Sequence, residues 1–130
     1  LRVQIVRSRG EYEDDPAAFT AKYAPMEAEI RDTIVAARKQ LSKVEISDEI
    51  LLLNAKLSIA MEVDGHRSDL TLMKVERTLA ALDGRTAVTK EDVRKASPLV
   101  FLHRTRMLPF ETSRKLDMDK LNAIIDEETV

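Results

Sequence analysis

The chain has 130 residues, with 21 Lys and Arg against 23 Asp and Glu and a net charge of −2, a balance that argues against a dedicated nucleic-acid binder, which carries a basic excess. Hydrophobic residues at 44% and charged residues at 34% describe a globular chain of single-domain length rather than a disordered one. Aromatics at 4%, with no Trp, leave Ala, Leu, Ile, Val and Met to fill the core, and only 3 Gly exclude a turn-rich β sandwich or barrel, so the composition favours helix on helix.

The absence of Cys excludes a disulfide framework and a thiolate metal site, and fits a reducing compartment. No apolar run approaches the about 20 residues of a transmembrane helix, and no signal-peptide pattern is visible. The chain starts at Leu1 without Met, which leads to the expectation of a fragment or a processed product.

Leu1 to Glu13 fits either a short strand or a helix: V-Q-I could be a strand, while Leu1 and Ile5 with the polar residues between them fit a helix. Asp14-Asp15-Pro16 is a helix start. Asp15 can cap free backbone N–H groups, and Pro16 suits the first helical position. Phe19, Tyr23, Met26, Ile30, Ile34, Ala37 and Leu41 then follow in steps of three and four, keeping phase across Pro25. One long helix kinked at Pro25 is the preferred reading; a break before it is the alternative.

Ser47 caps a second helix with Asp48 and Glu49 in its first turn. Ile50, Leu53, Leu57, Ala60 and Met61 form its stripe, Leu51 and Leu52 widen it towards a central position, and Gly65 ends it. A third helix starts near Arg67 to Asp69, puts Leu70, Met73, Val75, Leu79 and Leu82 on the core and stops at Gly84. Thr89 with Asp92 makes a capping box for a fourth helix, in which Val93, Ala96, Val100 and His103 share a face and Pro98 kinks or splits the rod. Met107-Leu108-Pro109 connects to a last amphipathic segment, about Ser113 to Ile125, carrying Leu116, Leu121, Ile124 and Ile125. The expected fold is an all-α bundle of about four to six helices in a single domain, residues 1–130.

The chemistry in this pattern is sparse. His66 and His103 lack metal-ligand spacing and read as loop and helix-end residues. The acidic runs Glu11–Asp15 and Asp126–Glu128 read as solvated faces, with no nucleophile beside them. No G-x-x-x-x-G-K-[ST] phosphate loop and no G-x-S-x-G elbow occurs. Arg67 precedes a helix, where a guanidinium can meet phosphate oxygens with the help of the positive potential at the helix start; by spacing alone it is an ordinary surface residue.

The order G-H-R-S-D-L-T-L-M-K-V-E-R-T-L-A-A-L-D-G-R-T-A-V-T-K-E-D-V-R-K-A, from Gly65 to Ala96, resembles the helical lid of AAA+ ATPases in the magnesium chelatase and MoxR-like group. The following P-L-V-F-L-H-R-T-R is similar to the same group, and the arginine-rich start, R-V-Q-I-V-R-S-R-G-E-Y-E-D-D-P-A-A-F, looks more like the chelatase ATPase subunit. The resemblance covers Leu1 to about Arg106 and fits 108–130 less clearly.

The resemblance implies an all-α AAA+ lid whose N-terminal α/β nucleotide-binding domain, with the phosphate loop, the Mg²⁺-binding acidic motif and the arginine finger, lies outside this sequence. It implies ATP and Mg²⁺ as cofactors of the parent and none for the fragment. It matches Arg67 to the sensor 2 arginine that contacts the γ-phosphate, and makes residues 1–14 helical. Implied partners are the chain's own nucleotide domain, a ring of like subunits and other chelatase subunits, in the cytoplasm or a plastid stroma. The implied task is coupling ATP hydrolysis to Mg²⁺ insertion into protoporphyrin IX. A MoxR-type chaperone lid and a stand-alone helical interaction module are the alternatives. Arg77 is expected in packing or a salt bridge, Arg85 at the surface or a subunit contact, and Arg104 and Arg106 on a solvated helix end.

Overall fold

The computed structural model describes residues 1–63, 65–102 and 117–127. Six helices follow one another: α1 (Arg2–Asp14), α2 (Pro16–Leu41), α3 (Asp48–Ala60), α4 (Arg67–Leu82), α5 (Lys90–Phe101) and α6 (Met118–Glu127), with no strand among the described residues. The all-α expectation holds, and none of these helices is long and apolar enough to cross a membrane. His103, Arg104, Arg106, Leu116 and the 107–109 connector lie outside the described residues.

The chain forms two compact units, Leu1–Val35 and Ala36–Val130. In the first, residues 1–14 are helical, which settles the strand-or-helix ambiguity. Asp15 interrupts the chain at φ −149° and its Oδ1 accepts the Ala18 N–H at 3.0 Å, capping α2 as its sequence predicts. Phe19 meets Tyr12 edge-on and stacks obliquely on Tyr23. Lys22 reaches Glu11 at 2.6 Å, an exposed pair that contributes little stability. α2 runs unbroken through Pro25. Its apolar stripe, however, is not a core face throughout: Met26, Ile30 and Ile34 remain about half exposed, and of α2 only Ala37 is fully buried.

The second unit holds the core. Ile50, Leu53 and Leu57 of α3, Leu72 and Ala80 of α4, Val93, Ala96, Val100 and Phe101 of α5, and Leu121 and Ile125 of α6 are buried together. Each large aliphatic side chain there contributes about 1.5–3 kcal/mol. α3 packs against α4, α5 and α6, which makes it central, but not through the widened stripe: Leu51 and Leu52 face solvent, while Asn54 and Ser58 are inside. In α4 the face is turned only in part from the expected one: Val75 and Leu79 pack half-buried against the core, as expected. Leu72, Glu76, Ala80 and Ala81 are buried, whereas Leu70 and Leu82 are exposed, because a line through every fourth residue from Ser68 faces α3 and α5. α5 continues through Pro98 without splitting.

Two helix ends use the same turn. After α4, the Gly84 N–H bonds Ala81 O and the Arg85 N–H bonds Ala80 O, with Gly84 at φ +70°. After α3, Glu62 bonds Ile59 O, Val63 bonds Ser58 O, and the left-handed position falls on Glu62 at φ +54°. The sequence placed this stop at Gly65; α3 in fact ends at Ala60 and its terminal turn is closed by a glutamate. Between the helices, the Glu45 N–H bonds Thr86 O and the Val88 N–H bonds Glu45 O, forming a single parallel bridge from Glu45 to Ala87.

A side chain in the left-handed region costs about 1 kcal/mol or more relative to glycine. Glu62→Gly is therefore expected to raise the unfolding free energy by up to about 1 kcal/mol, and Gly84→Ala to lower it by about the same amount. Urea unfolding of the two variants beside the wild type measures both.

Candidate functional site

The start of α4 carries the residue that the sequence singled out. After the α3 turn the chain passes Gly65 at φ +73°, where a left-handed backbone rather than crowding calls for glycine. His66 stands at the N-cap without a side-chain cap bond, and its imidazole is 98% exposed with Nδ1 3.6 Å from Asp69 Oδ2. Arg67 is the first helical residue and is exposed. Among the described residues, no ion pair or hydrogen bond engages its guanidinium.

What holds this first turn lies one and two residues further on. Ser68 is fully buried. Its Oγ lies 3.3 Å from Ser58 Oγ on α3 and 3.5 Å from Gly65 O. Ser58 Oγ in turn donates to Asp69 Oδ1. Because the one Ser58 proton goes to the carboxylate, only Ser68 can donate between the two hydroxyls, and its single proton is shared with Gly65 O. The turn is thus pinned to α3 on one side and leaves Arg67 on the other. Beside it, Ala55, Ser58 and Ile59 of α3 and Gly65, His66 and Asp69 border a depression of about 270 Å³. That is smaller than the roughly 300–1,000 Å³ of pockets that enclose a small molecule, so it can form one wall of a site rather than a whole one. Among the described residues, no group of three or more His, Asp or Glu side chains is placed to hold a metal.

Arg77, Arg85 and Arg94 are used within the fold. Arg77 Nε donates to Val44 O at 3.0 Å and its Nη2 to Leu41 O at 3.2 Å. It joins the Val44 N–H on the last carbonyl of α2 and holds the Val44 carbonyl just beyond it, a backbone role rather than the salt bridge the sequence allowed. Arg85 is not a free surface residue. Its Nη1 and Nη2 hold both Asp92 oxygens at 2.8 and 2.6 Å, and Nη2 also reaches Asp83 at 2.9 Å. Asp92 is fully buried and accepts from Thr89 N and Thr89 Oγ1 as well. Burial pushes its carboxyl up, but the Arg85 fork and the two Thr89 bonds outweigh burial and hold it below the usual 3.8. Arg94 crosses to α6, bonding Asn122 at 2.6 Å and Asp126 at 2.7 Å. Sequence reasoning missed the Arg94 link, the Ser58–Ser68–Asp69 chain and the buried Asn54–Glu76 contact. The signal for the last was present: Glu76 lies four residues after Leu72 and four before Ala80.

Of Arg67, Arg77, Arg85 and Arg94, Arg67 alone is exposed with no partner among the described residues. Comparison with known proteins gives this arrangement its context. Residues 52–124, more than half of the chain, match the family model described as AAA lid domain. The chain belongs to this family. Over 97% of its length it is 37% identical to a magnesium-chelatase subunit ChlI homolog from Methanocaldococcus jannaschii, covering 34% of that protein. Over 98% it is 39% identical to the magnesium-chelatase 38 kDa subunit of Chlorobaculum parvum, covering 38%. A Mycobacterium tuberculosis protein described only as uncharacterized is 39% identical over 94% of the chain, which covers 19% of it. The AAA lid chain therefore spans about a third of the length of the chelatase relatives, and the family model covers α3 to α6 up to Ile124.

In this lid the Arg85–Asp92 pair supports the α4–α5 corner. Arg85→Ala leaves a buried carboxylate with only its Thr89 donors and is expected to cost about 1–3 kcal/mol at neutral pH. Asp92 titrates below its unfolded value, so its stabilising contribution is complete above pH 3.8 and is lost as pH falls through the folded value. The penalty of Arg85→Ala accordingly shrinks below about pH 4, as thermal unfolding across pH 3–7 would record.

Proposed function

We propose that this chain is the lid of an ATPase of the magnesium-chelatase type, in which Arg67 contacts the γ-phosphate of ATP bound on a separate nucleotide domain of the same protein. The observation that carries the reading is the exposed guanidinium of Arg67, without a partner among the described residues, on the first turn of α4, whose neighbours Ser68 and Asp69 are tied back to α3. A guanidinium fork suits phosphate oxygens because two N–H groups can hold them together, and the helix start adds positive potential. The magnesium-chelatase names of relatives matching 97–98% of the chain support the choice of parent.

The residues present fit a phosphate group and not a metal. Arg67 would hold phosphate oxygens; bound ATP supplies a transferable phosphoryl group and its charge. The Mg²⁺ ion that accompanies ATP has no ligand cluster among the described residues. The chain contains no phosphate loop, so hydrolysis belongs to the nucleotide domain. The lid's own contribution is positional: the Ser58–Ser68–Asp69 chain fixes the first turn, and Arg67 registers whether the γ-phosphate is there. In such a parent, like subunits form a ring, and the coupled work is insertion of Mg²⁺ into protoporphyrin IX, where Mg²⁺ is cargo.

In the full-length protein carrying this lid, Arg67→Ala is expected to lower ATP turnover by roughly a hundredfold, the scale seen when one charge-stabilising donor is removed. Arg67→Lys keeps the charge, loses the fork and should fall between. Wild-type turnover by Arg67→Ala would rule out the γ-phosphate contact.

A further inference from the structure

Glu76 is a carboxyl group in the middle of the core, 0% exposed, facing Asn54 of α3, which is 1% exposed. One hydrogen bond joins them, from Asn54 Nδ2 to Glu76 Oε2 at 2.8 Å. The remaining oxygens, Glu76 Oε1 and Asn54 Oδ1, are buried with no hydrogen-bond partner among the described residues. An ionised carboxylate and an amide carbonyl are both acceptors, so an ionised Glu76 leaves two acceptors without a donor. Buried polar atoms without partners are rare and costly. One added proton resolves both. A carboxylic acid facing a primary amide can exchange two hydrogen bonds, N–H to carbonyl oxygen and O–H to amide oxygen. The observed bond is the first of these arms, and the two orphaned atoms are those of the second.

We propose that Glu76 is held in the folded protein as the neutral acid, closing a two-bond ring with the Asn54 amide, and that loss of its proton loosens the contact between α3 and α4. The groups facing it agree with this. From α3 it meets the neutral Asn54; from α5 the Asp92 carboxylate, whose negative charge disfavours a second one. The adjacent Arg77 on α4 is directed to the carbonyls of Val44 and Leu41. Burial, more than the opposing Asn54 bond, and the charge of Asp92 together raise the Glu76 carboxyl from 4.5 to about 7.

A carboxyl whose folded value is raised favours the folded state fully below the unfolded value and progressively less as pH rises to the folded one. The window here runs from about pH 4.5 to about pH 7. The experiment is denaturant unfolding of the 130-residue chain between pH 4.5 and 8.5, beside Glu76→Gln, whose amide can make both arms without titrating. The wild-type folding constant is expected to fall relative to that of Glu76→Gln by up to about 300-fold over this range. A ratio that stays constant overturns the proposal. Should Glu76→Gln not fold, ¹³C NMR of the wild-type glutamate carboxyls decides. A buried resonance titrating near pH 7 is expected, and a Glu76 midpoint at or below pH 5 overturns the proposal.

Discussion

The Asp92 carboxylate is the point on which the helical unit turns. It closes the capping box of α5 through both the backbone and the hydroxyl of Thr89, and it grips the guanidinium that ends the α4 turn. An acid buried to this extent is tolerable only when its oxygens are filled, and here four donors converge on two atoms. The geometry that satisfies it also fixes the angle at which α4 hands over to α5, whose buried faces make up much of the core. The charge of Asp92 then reaches Glu76 and makes a second buried anion costly. Turn, cap, core and internal electrostatics depend on a single ionised group.

Most of the helices were legible because their signals are local. Asp15, Ser47 and Thr89 cap where short polar side chains precede acidic or apolar turns, and Gly84 stops α4 in the left-handed conformation that glycine takes without strain. Faces were less legible, because they depend on which neighbour a helix finds. Leu70 and Leu82 obey a helical period as well as Leu72 does, and only the positions of α3 and α5 select the line through Ser68, Leu72, Glu76 and Ala80. Polar residues on that line hid it from an apolar count. The α3 stop was misplaced because a glutamate took the left-handed position that a glycine three residues later advertises. Pro25 and Pro98 are both absorbed within continuous helices, where the preserved phase of Ile30 and Ile34, and of Val93 and Val100, was the better guide than the proline rule.

The site was legible in part. Position at a helix start made Arg67 notable without distinguishing it from any surface arginine; the resemblance of the Gly65–Ala96 order did that. The fold adds a contrast no spacing contains: Arg77, Arg85 and Arg94 are occupied by carbonyls, carboxylates and an amide, while Arg67 has no partner among the described residues. The serine–aspartate chain behind it was beyond sequence reasoning because Ser58 and Ser68 sit on different helices and meet only after packing.

The bridge between Glu45 and Ala87 has a consequence for charge at one end of the unit. Ser47 and Thr89 each stand two residues after a bridged residue, so the parallel bridge brings the beginnings of α3 and α5 near one another. Two helix starts near one another repel through their positive ends. The sequence supplies an acidic pair at each: Asp48 and Glu49 on one helix, Glu91 and Asp92 on the other. These carboxylates set negative charge against both helix starts where the bridge's pair of backbone hydrogen bonds brings them together.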